Sequence, residues 1–169
     1  MLTSPIALNT IRFVLLVLAQ VLIFNRLNFL GSINPMVYVL FFYWYPIRIN
    51  RPLFLFLGFL LGFSIDIFLD TMALHAMAAL TVAFSRPVLM RFCFGANFEF
   101  QGFTFKSTTK VQRVTFLALL ILVQHIVFFT FEMLSFSHIL LILKKIVFTG
   151  ILTLVLCVLL SSLFATETD

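Results

Sequence analysis

The groups in this sequence that could do acid–base or metal chemistry are few: six acidic residues and three histidines in 169 residues. One arrangement among them has a defined geometry. Gly58, Gly62, Asp66 and Asp70 follow one another at intervals of four. On a helix this spacing puts all four on one face. Two glycines so spaced let a neighbouring helix approach closely, and the same face then carries a carboxylate into an apolar run. Placing that carboxylate in a bilayer costs about 2.5–3.5 kcal/mol on insertion scales, so it should face the bundle interior and find partners there.

Other polar residues reach a similar depth. At about 1.5 Å per residue, Asp66 lies roughly 20 Å along its helix, Gln20 roughly 18 Å along the first and His125 roughly 16 Å along the fifth. Gln124 stands beside His125, and His75 falls near the outer end of the fourth helix. Asp66 and His75 are equidistant from the turn at Asp70-Thr71, so an antiparallel hairpin sets them at one level and an Asp66–His75 pair is expected. Asp70 then marks the outer interface. Gln20, Asp66, His75, Gln124 and His125 together suggest a polar layer in the outer half of the membrane.

Such a layer could lock helices together, line a pocket for a small molecule or a partner's helix, or form a metal or proton-relay site. One carboxylate and two histidines far apart in sequence are a weak metal signal. No H-E-x-x-H, glycine-rich phosphate loop or nucleophile elbow is present. The reading is therefore a chain without catalytic residues, cofactor or metal. Glu132 reads as solvated at the outer end of the fifth helix. Cys93 and Cys157 have no ligand spacing and read as small apolar residues.

The elements that hold these residues follow from composition. The chain is 63% hydrophobic and 10% charged, with a mean hydropathy of +1.19. Soluble domains carry roughly 45–50% apolar and about 25% charged residues. A water-facing domain of this size could not hide so much apolar surface. The expectation is an all-α membrane protein, a bundle of about six transmembrane helices forming a single integral domain over residues 1–169. The apolar runs are 8–24, 35–47, 53–69, 72–90, 114–131 and 146–165. The second run is short for a span of about 20 residues, and implies a tilted, kinked or extended helix. Residues 139–143 form an extra apolar stub, either interfacial or a bent start to the sixth helix, which leaves the placement of 132–145 open. The first run lacks a signal-peptide cleavage site and reads as a retained helix.

The net charge of +5 is scattered and offers no phosphate-tracking surface, so it speaks to topology and anionic lipid rather than nucleic acid. With six spans, Arg12, Arg48, Arg51, Arg86, Arg91, Lys106, Lys110 and Arg113 share one side, against Arg26, Lys144 and Lys145 on the other. Both termini are expected in the cytoplasm, with Tyr43-Trp44-Tyr45 as an aromatic belt at that face. Between Arg91 and Arg113, Phe98, Phe100, Phe103 and Phe105 alternate with polar residues and suggest a short extended hairpin turning at Gly102.

The stretch Gly58-Phe-Leu-Leu-Gly62-Phe-Ser-Ile-Asp66-Ile-Phe-Leu-Asp70-Thr71, followed by Leu74-His75-Ala76 and Ala83-Phe-Ser-Arg86-Pro87, resembles the bacterial rod shape-determining MreD family. The match outside this hairpin is one of length and hydropathy, with Gln20 to Asn25, Asn34-Pro35 and Glu132 to Phe136 also similar. Family members often have Pro or Gly in the turn where this chain has Met72-Ala73. The resemblance implies a non-enzymatic component of the cell-wall elongation machinery in the bacterial cytoplasmic membrane. Its implied partners are an MreC-like bitopic protein, the glycan polymerase RodA with its penicillin-binding transpeptidase, and, indirectly, MreB filaments. It also implies a fold similar to the substrate-binding subunits of energy-coupling-factor transporters. A vitamin-binding transporter subunit is accordingly the alternative function.

Overall fold

The computed structural model describes residues 5–27, 33–47, 50–95, 105, 108–133 and 139–163. It has the all-α membrane architecture expected from composition. The α-helices are α1 (Pro5–Leu22), α2 (Leu40–Trp44), α3 (Arg51–Leu69), α4 (Leu74–Phe94), α5 (Lys110–Met133) and α6 (Ile139–Leu163). All but α2 are long and apolar enough to cross a membrane. The helices neighbour one another largely in chain order: α3 packs on α4, α4 on α5 and α5 on α6, while α1 closes on α3. The expected hairpin at residues 98–105 lies almost wholly outside the described residues; of it only Phe105 is described, packed against Tyr43, Phe94 and Phe116.

The second apolar run departs most from its expected form. Instead of a membrane-spanning helix it is a 3-10 turn (Val37–Val39) leading into the short α2, reached through irregular backbone at 34–36. Among the described residues it is the most deeply buried stretch, and Val37, Tyr38, Val39, Leu40 and Phe42 are wholly inaccessible. Backbone that is not fully helical is tolerated at membrane depth only when buried in protein. Because this segment meets protein instead of lipid, it needs neither 20 residues nor a continuous helix. It still turns the chain back: its start is bonded to Gln20 late in α1, and Trp44 at its end accepts a hydrogen bond from Arg12 early in α1. It therefore runs antiparallel to α1, and the six-pass parity of the bundle is kept.

The apolar stub at 139–143 forms the first turns of a continuous α6. Lys144 and Lys145 thus stand within that helix instead of before it. Exposed apolar side chains ring the bundle, Phe56, Phe63, Phe84 and Phe92 among them, the arrangement a lipid solvent requires.

Candidate functional site: a polar frame around a buried segment

The α3–α4 hairpin is built on the glycine-glycine-aspartate face. A Cβ at Gly62 would strike the His75 carbonyl and come within 2.6 Å of the Ala76 Cα. One at Gly58 would lie 3.0 Å from both the Ala83 Cβ and the Phe42 ring. Gly62 is thus in direct contact with the backbone of α4, and Gly58 faces both α4 and α2. Asp66 is buried one turn further along.

The Asp66 carboxylate does not bond the His75 ring. It accepts the His75 backbone N–H at 3.0 Å on Oδ1, the Ala76 backbone N–H at 2.8 Å on Oδ2, and the Thr71 hydroxyl. These backbone N–H groups are donors that an α-helix leaves without intrahelical partners in its first turn. The residue at the N-cap position, Ala73, has no side chain able to serve them. The first turn of α4 is nonetheless complete, since Leu74 N–H reaches the Thr71 carbonyl and Met77 N–H the Ala73 carbonyl. A carboxylate on one helix therefore caps the next, where it also meets the positive end of the helix dipole. The expected level of Asp66 and His75 is the observed one, but the bonding atom is the backbone nitrogen. Asp70 takes no part; it is the exposed C-cap residue of α3 in a left-handed conformation.

His75 directs its ring inward, where Nδ1 hydrogen-bonds the Tyr38 hydroxyl at 3.0 Å. The imidazole is held between the Tyr38 and Phe128 rings. Gln20 reaches the same buried segment from α1. Its Nε2 donates to the Pro35 carbonyl at 3.0 Å and to Asn25 Oδ1, and its Oε1 accepts the Val37 N–H at 2.9 Å. Another donor of the irregular lead-in, Met36 N–H, goes to Thr153 Oγ1 of α6 at 3.1 Å. Thr153 in turn meets His125 Nε2 at 3.3 Å, and His125 Nδ1 lies 2.8 Å from the Ile121 carbonyl. Since a carbonyl can only accept, His125 carries its proton on Nδ1, and Nε2 accepts from the Thr153 hydroxyl.

Four of the five residues of the suggested polar layer are thus bonded to the backbone or side chains of other elements. Three of them, Gln20, His75 and His125, serve the buried segment directly or through Thr153. Gln124 is fully buried beside the Tyr38 hydroxyl and makes no hydrogen bond of ordinary geometry among the described residues.

The far end of the segment is held by cations. Arg86 donates to the Pro46 carbonyl at 3.2 Å and the Tyr45 carbonyl at 2.5 Å, and its guanidinium lies over the Phe54 ring. Arg12 lies over Trp44 and donates to its carbonyl. In the sequence Arg86 is read as a topology charge and as part of the resemblance, not as a buried group. A signal is present nonetheless: it follows Ala79, Val82 and Ala83 at intervals of seven, four and three, so it continues a stripe of small packing residues. An arginine on such a stripe faces a neighbouring element more readily than water. Thr153 gives no signal beyond lying four residues after Thr149 in the apolar middle of α6.

Among the described residues no three His, Cys, Asp or Glu side chains converge as metal ligands would. Glu132 is exposed and pairs with Lys145 at 2.9 Å. Cys93 and Cys157 are both free thiols, the latter fully buried against the core. No protein-family model, characterised protein or solved structure matches the chain.

Proposed function

We propose that this chain is a non-enzymatic membrane scaffold of the MreD type. In this reading it acts in cell-wall elongation by holding the membrane segment of an MreC-like bitopic protein. Through that partner it engages a RodA-type polymerase with its penicillin-binding transpeptidase, and indirectly MreB filaments. Its place is the bacterial cytoplasmic membrane, with both termini in the cytoplasm.

The observation that carries the reading is the use made of the residues behind the resemblance. Gly58, Gly62, Asp66 and His75 all fix the α3–α4 hairpin or the segment packed beside it. A scaffold needs a rigid shape presented to partners, and these residues supply rigidity. A carrier for a polar vitamin would instead need several polar groups converging on a cavity. The groove between α5 and α6 is lined by apolar side chains apart from His125.

Depletion of the protein from a rod-shaped host tests the proposal. Rounded cells with misplaced wall synthesis are expected, and Gly62→Leu should fail to restore the rod. Unchanged shape together with lost vitamin uptake would replace this reading with the transporter one.

A further inference from the structure

The groove between α5 and α6 opens on the outer surface of the bundle. Its walls are Ala118, Ile121 and Leu122 on one side and Val147, Ile151 and Leu154 on the other, with Gly150 and His125 below. There is free space at Gly150: a Cβ there would meet only the Ile121 side chain, at 4.0 Å, so a larger side chain would be needed to fill the groove. The groove volume is about 220 Å³. From Ile146 to Leu154 the groove runs about 12 Å along the helix. It is an open, apolar furrow along one side of α6, in which a flexible methylene chain can lie.

A charge stands at one end. Lys144, Val147 and Ile151 follow the i, i+3, i+7 spacing that lines up one stripe of a helix, so Lys144 continues the groove wall by a turn. Its neighbour Lys145 is engaged by Glu132. Lys144 is exposed and has no acidic partner among the described residues. A flexible lysine near a helix end carries its ammonium to the headgroup layer.

We propose that the α5–α6 groove binds an anionic phospholipid, one acyl chain lying over Gly150 and the headgroup phosphate on Lys144. The proposal rests on the chain being a multi-pass membrane protein and is independent of the scaffold reading. The bound chain completes the packing of α6, which is otherwise among the least buried of the long helices. The charge selects the headgroup, and the groove selects the tail.

The test is lipid binding to the purified, delipidated full-length protein in detergent, titrated with phosphatidylglycerol or phosphatidylcholine and read by native mass spectrometry. Phosphatidylglycerol should be preferred, and Lys144→Gln should remove about fivefold of that preference, as expected for one basic side chain at an anionic surface. Gly150→Leu should abolish the retained lipid with either headgroup, whereas Gly150→Ala should leave it in place. Lys144→Gln alters an exposed side chain and keeps the test open if Gly150→Leu fails to fold. Equal binding of the two lipids, or a preference untouched by Lys144→Gln, would overturn the proposal. So would a Gly150→Leu protein that keeps its lipid but loses a self-association seen in the parent, which would assign the groove to a second copy of the chain.

Discussion

Asp66 uses both oxygens to serve the buried, otherwise unpaired donors of a helix to which it does not belong. Asp66→Asn keeps one acceptor and turns an amide N–H₂ toward the other backbone donor. Asp66→Leu leaves both donors buried and unserved, at about 1–3 kcal/mol for each. The leucine variant should therefore melt well below the asparagine variant, and both below the parent, in a thermal unfolding assay of detergent-purified protein. Equal melting of all three would remove the cap from the account. Gly62→Ala should be as harmful as Asp66→Leu although it adds only a methyl group, because that methyl meets backbone. Gly58→Ala should cost less, since its neighbours at 3.0 Å are an alanine methyl and the edge of a ring, which can yield by small shifts.

The residue pattern explains why part of this site is legible in sequence. Glycines and an aspartate at intervals of four declare a shared face. The level of His75 follows from counting away from the turn. What spacing cannot reveal is that the partner of Asp66 is main chain, because every helix begins with unserved N–H groups and none is written in side-chain identity. The roles of Gln20 and His125 are hidden for the same reason: their partners, directly or through Thr153, are the carbonyl and amides of residues 35–37.

At the scale of elements, the α3–α4 turn combines a strained path with a strong clamp. Asp70, Met72 and Ala73 all have positive φ, at 54°, 46° and 66°. A left-handed conformation costs roughly 1–2 kcal/mol for a residue bearing a Cβ. The turn holds because Asp66, Thr71 and the two α4 amides are bonded across it. Ala73→Gly should accordingly raise stability by about 1 kcal/mol, measured as an increased melting temperature. A lowered melting temperature would mean that the Ala73 methyl contributes packing that outweighs the strain.

The second apolar run belongs to this scale too. Its length, 13 residues, is that of a buried or re-entrant piece more often than of a span, and Pro35 and Pro46 bracket it. Hydropathy alone gives a lipid-facing helix and an inaccessible protein-facing one the same score, so the run reads as a sixth full crossing. The stub at 139–143 is ambiguous in sequence because two lysines interrupt it. Helix propensity and the Lys145–Glu132 pair carry α6 through them.

For the whole molecule, the buried segment preserves an even number of passes, so the first helix begins and the last helix ends at the same face of the bundle. The distribution of Lys and Arg points to the cytoplasm for that face. Reporter fusions after Asp169 and between Lys106 and Arg113 should report cytoplasm, and fusions beside Asp70 or Ser135 should report the opposite side. A C-terminal reporter on the outside would overturn the orientation, and together with a cytoplasmic N-terminus it would overturn the parity as well.

The hydrogen bond from Met36 to Thr153 joins residues 117 positions apart, and it has a consequence in time. A chain emerging from the ribosome delivers the early segment long before the last helix exists. Until α6 arrives, the Met36 amide lacks its acceptor, and an amide left bare in hydrocarbon is costly. The segment can wait at the membrane surface, where water serves it, while the long helices insert around the space it will fill. Its insertion then follows the arrival of α6, which supplies the missing acceptor. A chain released before α6 would carry on the outside a stretch that the finished bundle buries completely, a built-in mark by which quality-control proteases could distinguish unfinished copies from finished ones.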